Sequence, residues 1–400
     1  MADNVALVVI FGINSRQGSS IARRFAHKSH MRLRGITTDL SSTKSQGWKA
    51  RGIELVQIED FCDTGAIEEA LQGAVGIFGF TDFYRYLDEH STLSLASMYK
   101  KCPEEVAAQR EILEGKAIIA AAADVQSLQL FVLSSLSPLS EETEVVRGLQ
   151  QFRSKAEIAE YMYSSHEELG KKASLLKPAL YMENWTMFLR KNPDGRFIFG
   201  TTLPADLVMP WTNVTNDMGT LFQLCTASVP PLNIAALSDI KSGAEICQLF
   251  TSVTGIPCDY VQYTAEELVK MLGSRGHIIV DMLNHLSQRL YYEEDGIQLS
   301  HHVIKGRPDA HKFHLTSFEE YMKASLPAYL VLKGDKRGSK EATSASDGGV
   351  ETAVYDSGLR ATSEDARMVS EQMAAKGFEV PKMRDSEGRV TSGNGWDRNE

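Results

Sequence analysis

Basic residues are in deficit in this chain. It has 42 Lys and Arg against 52 Asp and Glu, a formal net charge of −10. Binding to a phosphate backbone wants clustered cations, so nucleic acid is not an expected main partner. Long apolar runs are also missing: no stretch approaches the ~20 residues that a membrane helix needs. Cysteines are few, odd in number and far apart (Cys62, Cys102, Cys225, Cys247, Cys258), with no CxxC. That pattern gives neither a disulfide framework nor a thiolate metal site. His301, His302, His311 and His314 cluster, but no Cys or acidic pattern accompanies them, and no metal is expected. The opening Met-Ala-Asp-Asn-Val lacks the basic start and apolar middle of a signal peptide. The expectation is a cytoplasmic protein, with the nucleus as the alternative.

What is present is a globular composition: 400 residues, 43% hydrophobic and 24% charged, enough for a large core. Short runs rich in Val, Ile and Leu recur at 5–11, 33–37, 53–58, 75–80, 130–133 and 173–176. Between them lie helix-compatible stretches at 19–27, 41–50, 66–71, 104–123 and 154–164. Apolar runs of this length read as strands buried on both faces, and their alternation with helices predicts βαβ units. The expected fold is α/β, a doubly wound parallel sheet of the Rossmann type over residues 1–180. Ligands of such a sheet bind at the C-terminal ends of its strands.

After residue 180 the pattern loosens. Strands are expected near 197–199, 234–237 and 258–263, and helices near 217–225, 244–253, 265–272 and 278–291. This is the material of a smaller α/β lobe over 181–332, with part of 213–253 packing back on the sheet. From 333 to 400 the composition turns to Gly, Ser and charge, which reads as a disordered tail carrying one short amphipathic helix at 363–377.

Gly12-Ile13-Asn14-Ser15-Arg16-Gln17-Gly18 follows the first strand and opens a helix. A pyrophosphate approaching a helix N-terminus meets backbone N–H groups and a favourable dipole. Gly12 permits the tight turn, and Gly18 close packing of helix on strand. Ser15 stands where glycine is commoner. The second strand ends in Thr37-Thr38-Asp39. Asp39 could hold the 2′-hydroxyl of NAD or cap a helix, whereas Arg16 and Lys44 could pair with the 2′-phosphate of NADP. The balance modestly favours NADP(H) over NAD(H).

These residues, read with several later stretches, resemble the NmrA-like family of atypical short-chain dehydrogenase/reductases. Arg51 to Gln57, closing in Glu59-Asp60, resembles its third-strand signature. Thr81-Asp82-Phe83 is similar to the loop that touches the cofactor. Ser154 to Tyr161 resembles the helix that presents the family lysine, here Lys155. Tyr181-Met182-Glu183-Asn184 resembles the loop closing over the nicotinamide. The resemblance implies NAD(P) binding through all these positions. It also implies either a reductase or a cofactor-sensing regulator. Thr38 occupies the position where the family carries a base for the 2′-phosphate.

Hydride transfer to a carbonyl needs a proton donor beside the nicotinamide. The wider superfamily places a Tyr one helical turn before its Lys; here Gln151 stands there. Lys155 is therefore the candidate acid, with Ser134 or Ser135 able to orient a substrate oxygen. The expected function is reduction of a small carbonyl, enone or imine, of the kind met in specialised-metabolite pathways. The alternative is a non-catalytic NAD(P) sensor acting through a protein partner.

Overall fold

The computed structural model describes residues 5–61, 63–139, 146–288 and 296–334. The expected tail lies outside the described residues from 335 onward, as does its helix at 363–377.

The chain opens with β1 (Ala6–Ile10), α1 (Arg16–Phe25), β2 (Met31–Thr37), α2 (Thr43–Ala50), β3 (Glu54–Gln57), α3 (Thr64–Leu71) and β4 (Ala74–Gly79). Three helices follow in succession: α4 (Phe83–Asp88), α5 (His90–Tyr99) and α6 (Pro103–Ala123). Then come β5 (Leu130–Ser134), α7 (Gln150–Ser165), α8 (Glu167–Gly170) and β6 (Ala173–Pro178). The second half supplies β7 (Leu180–Tyr181), β8 (Leu189–Lys191), β9 (Phe197–Thr201), β10 (Val208–Thr212), α9 (Val214–Thr226), β11 (Leu232–Ala236) and β12 (Asp239–Ser242). It ends with α10 (Gly243–Thr254), β13 (Cys258–Gln262), α11 (Ala265–Leu272), α12 (Gly276–Gln288), β14 (Gln298–Leu299), α13 (Ser300–Lys305) and α14 (Phe318–Gly334).

Eight strands form one parallel sheet in the order β14-β11-β6-β5-β4-β1-β2-β3. Side chains alternate across each strand, so β1 feeds two cores. Val8 and Ile10 pack with Ile21, Phe25, Met218 and Phe222 on the side of α1 and α9. Leu7 and Val9 pack with Ile112, Ile118 and Ile158 on the side of α6 and α7. Strand order reverses at the β1–β4 boundary, which opens a crevice at the strand C-termini.

The smaller lobe has two three-stranded sheets, β12-β10-β7 and β13-β9-β8. They close over a core of Trp185, Phe199, Trp211, Phe250 and Phe318. Its helices start where the sequence offers caps: Ser242 with Glu245 opens α10, and Thr264 with Glu267 opens α11.

The sheet takes more from the second half than the sequence pattern shows. β11 pairs with β6, β14 pairs with β11, and α9 lies on α1. From 213–253, then, α9 and β11 join the large layer while β12 and α10 stay with the small lobe. Helices α4, α5, α13 and α14 fall on residues whose apolar spacing does not announce them. α5, for one, buries only Thr92, Leu95 and Ala96. The helix expected at 154–164 starts earlier, at Gln150, so Gln151 sits on the same helix as Lys155.

Candidate functional site

The turn between β1 and α1 is built for a close approach. Gly12 has φ +60, and a Cβ there would meet the Phe80 ring at 2.5 Å. A Cβ on Gly18 would overlap the Gly12 carbonyl. Ser15 caps the helix: its Oγ accepts from the Gly18 N–H at 3.0 Å. The N–H groups of Arg16 and Gln17, in the first turn, have no carbonyl to meet inside the helix. No acidic side chain occupies that turn. Ile13 is fully buried against Gly35 and anchors the turn to β2.

Asn14 and Gln17 fix the two flanks. Asn14 Nδ2 donates to Thr37 Oγ1 at 2.9 Å and to Ser45 Oγ at 2.8 Å, binding the turn to the end of β2 and to α2. Gln17 Nε2 donates to the Tyr181 hydroxyl at 2.9 Å, joining it to the end of β7. Asn14 Oδ1 and Gln17 Oε1 are buried acceptors with no partner. Two buried acceptors without donors, on residues of the glycine turn, fit a ligand that brings hydroxyl or amide hydrogens. With the glycine cradle, they make the residues fit a dinucleotide.

At the β2 end, Asp39 folds back on its own loop. Its Oδ1 accepts from Ser41 N at 2.7 Å and Ser41 Oγ at 2.6 Å, and these bonds hold its carboxyl below the ordinary range. Thr38 beside it is exposed. Arg16 does not turn toward this end: Nη1 donates to Asn184 Oδ1 at 2.9 Å, across the crevice. Lys44 stays near, with Nζ 3.4 Å from the Asn14 carbonyl. Glu59 and Asp60 follow β3 at the surface and line a shallow cleft with Gln57, Ile58, Asp63 and Ala66.

The loop 181–184 divides its labour. Tyr181 and Asn184 face the turn through Gln17 and Arg16. Burial pushes the Tyr181 phenol up to about 12. Met182 is fully buried in the small-lobe core. Glu183 caps α9, accepting from Thr215 N at 2.6 Å and Val214 N at 3.4 Å. Similarly, Asp82 caps α4 through Tyr84 N and Arg85 N, and Phe83 is buried against α6. Met182, Glu183, Asp82 and Phe83 thus have structural partners.

Lys155 stands at the strand edge, 6.0 Å from the Phe80 ring that underlies Gly12. Its Nζ donates to Glu111 Oε1 at 2.7 Å, to Thr81 Oγ1 at 3.0 Å and to the Thr81 carbonyl at 3.1 Å. Glu111, on α6, is fully buried. It also takes the Thr81 hydroxyl at 2.8 Å and the Ser154 hydroxyl. An ammonium has three hydrogens, and all three are committed here. Glu111 and Phe80 are absent from the residues the sequence singles out. The signal available was a pair of glutamates, Glu111 and Glu114, one turn apart in an Ala- and Ile-rich helix. Gln151 is buried with its Oε1 unpartnered. Ser135 Oγ reaches the Lys155 carbonyl at 3.3 Å rather than its ammonium.

The model of the NmrA-like family matches residues 5–322. The chain belongs to the NmrA-like family. Among its relatives is the NmrA-like family domain-containing oxidoreductase cpsB of Aspergillus campestris, 27% identical over 274 residues, 64% of this chain and 75% of that one. Among solved structures, NmrA, a negative transcriptional regulator, in complex with NADP superposes with TM-score 0.61 at 17% identity, covering 83% of this chain and 98% of that one. The leucoanthocyanidin reductase of Vitis vinifera with NADPH gives 0.57 at 12%, covering 82% and 100%. At these identities the structural matches speak for the fold. That fold, a large parallel sheet with the glycine turn at its order reversal, is the one this NmrA-like chain adopts. Among the described residues no helix is long and apolar enough to cross a membrane.

Proposed function

We propose that this chain is an NAD(P)H-dependent oxidoreductase that reduces a carbonyl, enone or imine in a small organic molecule. The observation that carries the proposal is a half-buried cation, Lys155, held by the buried Glu111 close to the Phe80 ring under the glycine turn. The name of the relative cpsB supports it. The dinucleotide, when bound, supplies the hydride. The N–H groups of Arg16 and Gln17 hold the pyrophosphate, Lys44 faces the adenine-ribose end, and Tyr181 and Asn184 close the nicotinamide end. Lys155, its three hydrogens engaged by Thr81 and Glu111, acts as a fixed positive charge that favours the bound dinucleotide. Lys44 near the 2′ position, with Asp39 engaged by Ser41, favours NADP(H).

A second reading, a dinucleotide sensor without turnover, is favoured by Gln151 at the place of the usual tyrosine acid. Purified protein titrated calorimetrically with both cofactors, then assayed for NADPH oxidation against carbonyl and enone panels, separates the two. Binding with turnover is expected, with NADPH tighter. Binding without turnover on any compound selects the sensor. Gly12→Asp drives a Cβ into the Phe80 ring at a left-handed position, which displaces the turn, and is expected to abolish binding of both nucleotides. Binding retained by a folded variant would overturn the site.

A further inference from the structure

Two cysteines unused by that site meet in the small lobe. Cys247 lies on α10 and Cys258 opens β13, and their sulfurs are 3.6 Å apart. Each enters the lobe core, Cys247 buried within it and Cys258 half-buried at its margin. The eleven-residue separation is closed by the end of α10, Gly255 in the left-handed region and Pro257, so helix and strand lie against each other. Bond formation needs the sulfurs about 1.5 Å closer, toward the ~2.05 Å of a disulfide. Among the described residues the other two thiols differ: Cys225 is buried in the sheet layer, and Cys102, half-exposed, lies at the start of α6.

We propose that Cys247 and Cys258 form a peroxide-oxidisable dithiol that closes to an intramolecular disulfide, stapling α10 to β13. The Cys258 S–H donates toward Cys247 and lowers the Cys247 thiol below its usual range, which favours thiolate there. One sulfur takes an oxygen from hydrogen peroxide, breaking the O–O bond, releasing one water and leaving a sulfenic acid. The second sulfur attacks the first, and the hydroxyl departs with a proton as a second water. Two thiols lose two electrons and two protons, and one peroxide becomes two waters. The consequence reaches the crevice by packing: Phe250 of α10 lies 6.1 Å from Trp185, next to Asn184, which holds Arg16.

The test uses the full chain. No Lys or Arg lies between Lys241 and Lys270, so one tryptic peptide, 242–270, carries both cysteines. After hydrogen peroxide and alkylation, this peptide is expected to be lighter than its reduced form by two hydrogens and to take up no alkylating agent. Dithiothreitol should restore two alkylatable thiols. Cys258→Ser should abolish this reversible loss at Cys247. Overturning results are alkylation of both thiols at doses that oxidise Cys102, sulfinic acid without a link, or reversible protection surviving in Cys258→Ser.

Discussion

A lysine that delivers a proton needs a hydrogen free to leave toward its acceptor, and Lys155 has spent its three on Thr81 and Glu111. Its ammonium acts as a fixed charge. Lys155→Met keeps the stem and removes that charge. A unit charge a few ångströms away is worth ~1 kcal/mol in water and ~4 kcal/mol near a protein surface, so cofactor affinity should fall roughly 10- to 100-fold. Turnover at saturating cofactor should fall no further than affinity. A drop in turnover of 10² or more with affinity intact would restore Lys155 as the acid. Glu111→Ala tests the other side of the pair. It leaves a nearly buried ammonium without its carboxylate and should cost about 3–5 kcal/mol in a urea melt; a loss under 1 kcal/mol would mean the pair is not structural. The glycine turn was legible in the sequence because its residue types follow from backbone demands. Glu111 was not: a glutamate within a helix reads as solvated until sheet order sets α6 against α7.

The pair α1 and α9 shows what strands and helices add. Gly219 of α9 donates its N–H to Ser20 Oγ at 3.0 Å, and a Cβ there would lie 2.6 Å from the Ser20 carbonyl and 2.7 Å from Arg24 Cβ. The neighbours are backbone and helix stem, which cannot rotate away. Gly219→Ala should force the helices apart, at a cost of about 1–3 kcal/mol. Since α1 begins at the phosphate turn, cofactor affinity should weaken in the same variant. Unchanged melting and binding would show that the contact yields cheaply. The first-half strands were legible because β-branched runs such as Ala6–Ile10 are buried on both faces. The short β14 was not, because two residues hold no period. That part of 213–253 returns to the sheet was expected, but its contact with α1 was not, because Asp217-Met218-Gly219 states a contact only once Ser20 is opposite it.

Across the whole molecule, α6 is the central post, packed on α3, α4, α5 and α7, so a charge inside it bears on global stability. Glu114 of α6 is buried, with Arg85 Nη2 at 3.0 Å. Burial pushes its carboxyl up to about 7, and the pull of Arg85 in the other direction is the smaller effect. The unfolded chain releases this proton near 4.5. Between those values the folded state holds a proton that the unfolded state has lost. The stabilising contribution of neutral Glu114 is therefore full below pH 4.5 and disappears as pH rises through 7. The span corresponds to at most ~3.5 kcal/mol at ~1.4 kcal/mol per pH unit. Glu114→Gln is neutral throughout and keeps the side-chain volume. It carries a constant cost for Arg85, but its stability relative to wild type should improve steadily from pH 5 to pH 8 in denaturant melts. A difference that stays flat across that range would mean that Glu114 is ionised in the fold at every pH tested, held by Arg85 against its burial.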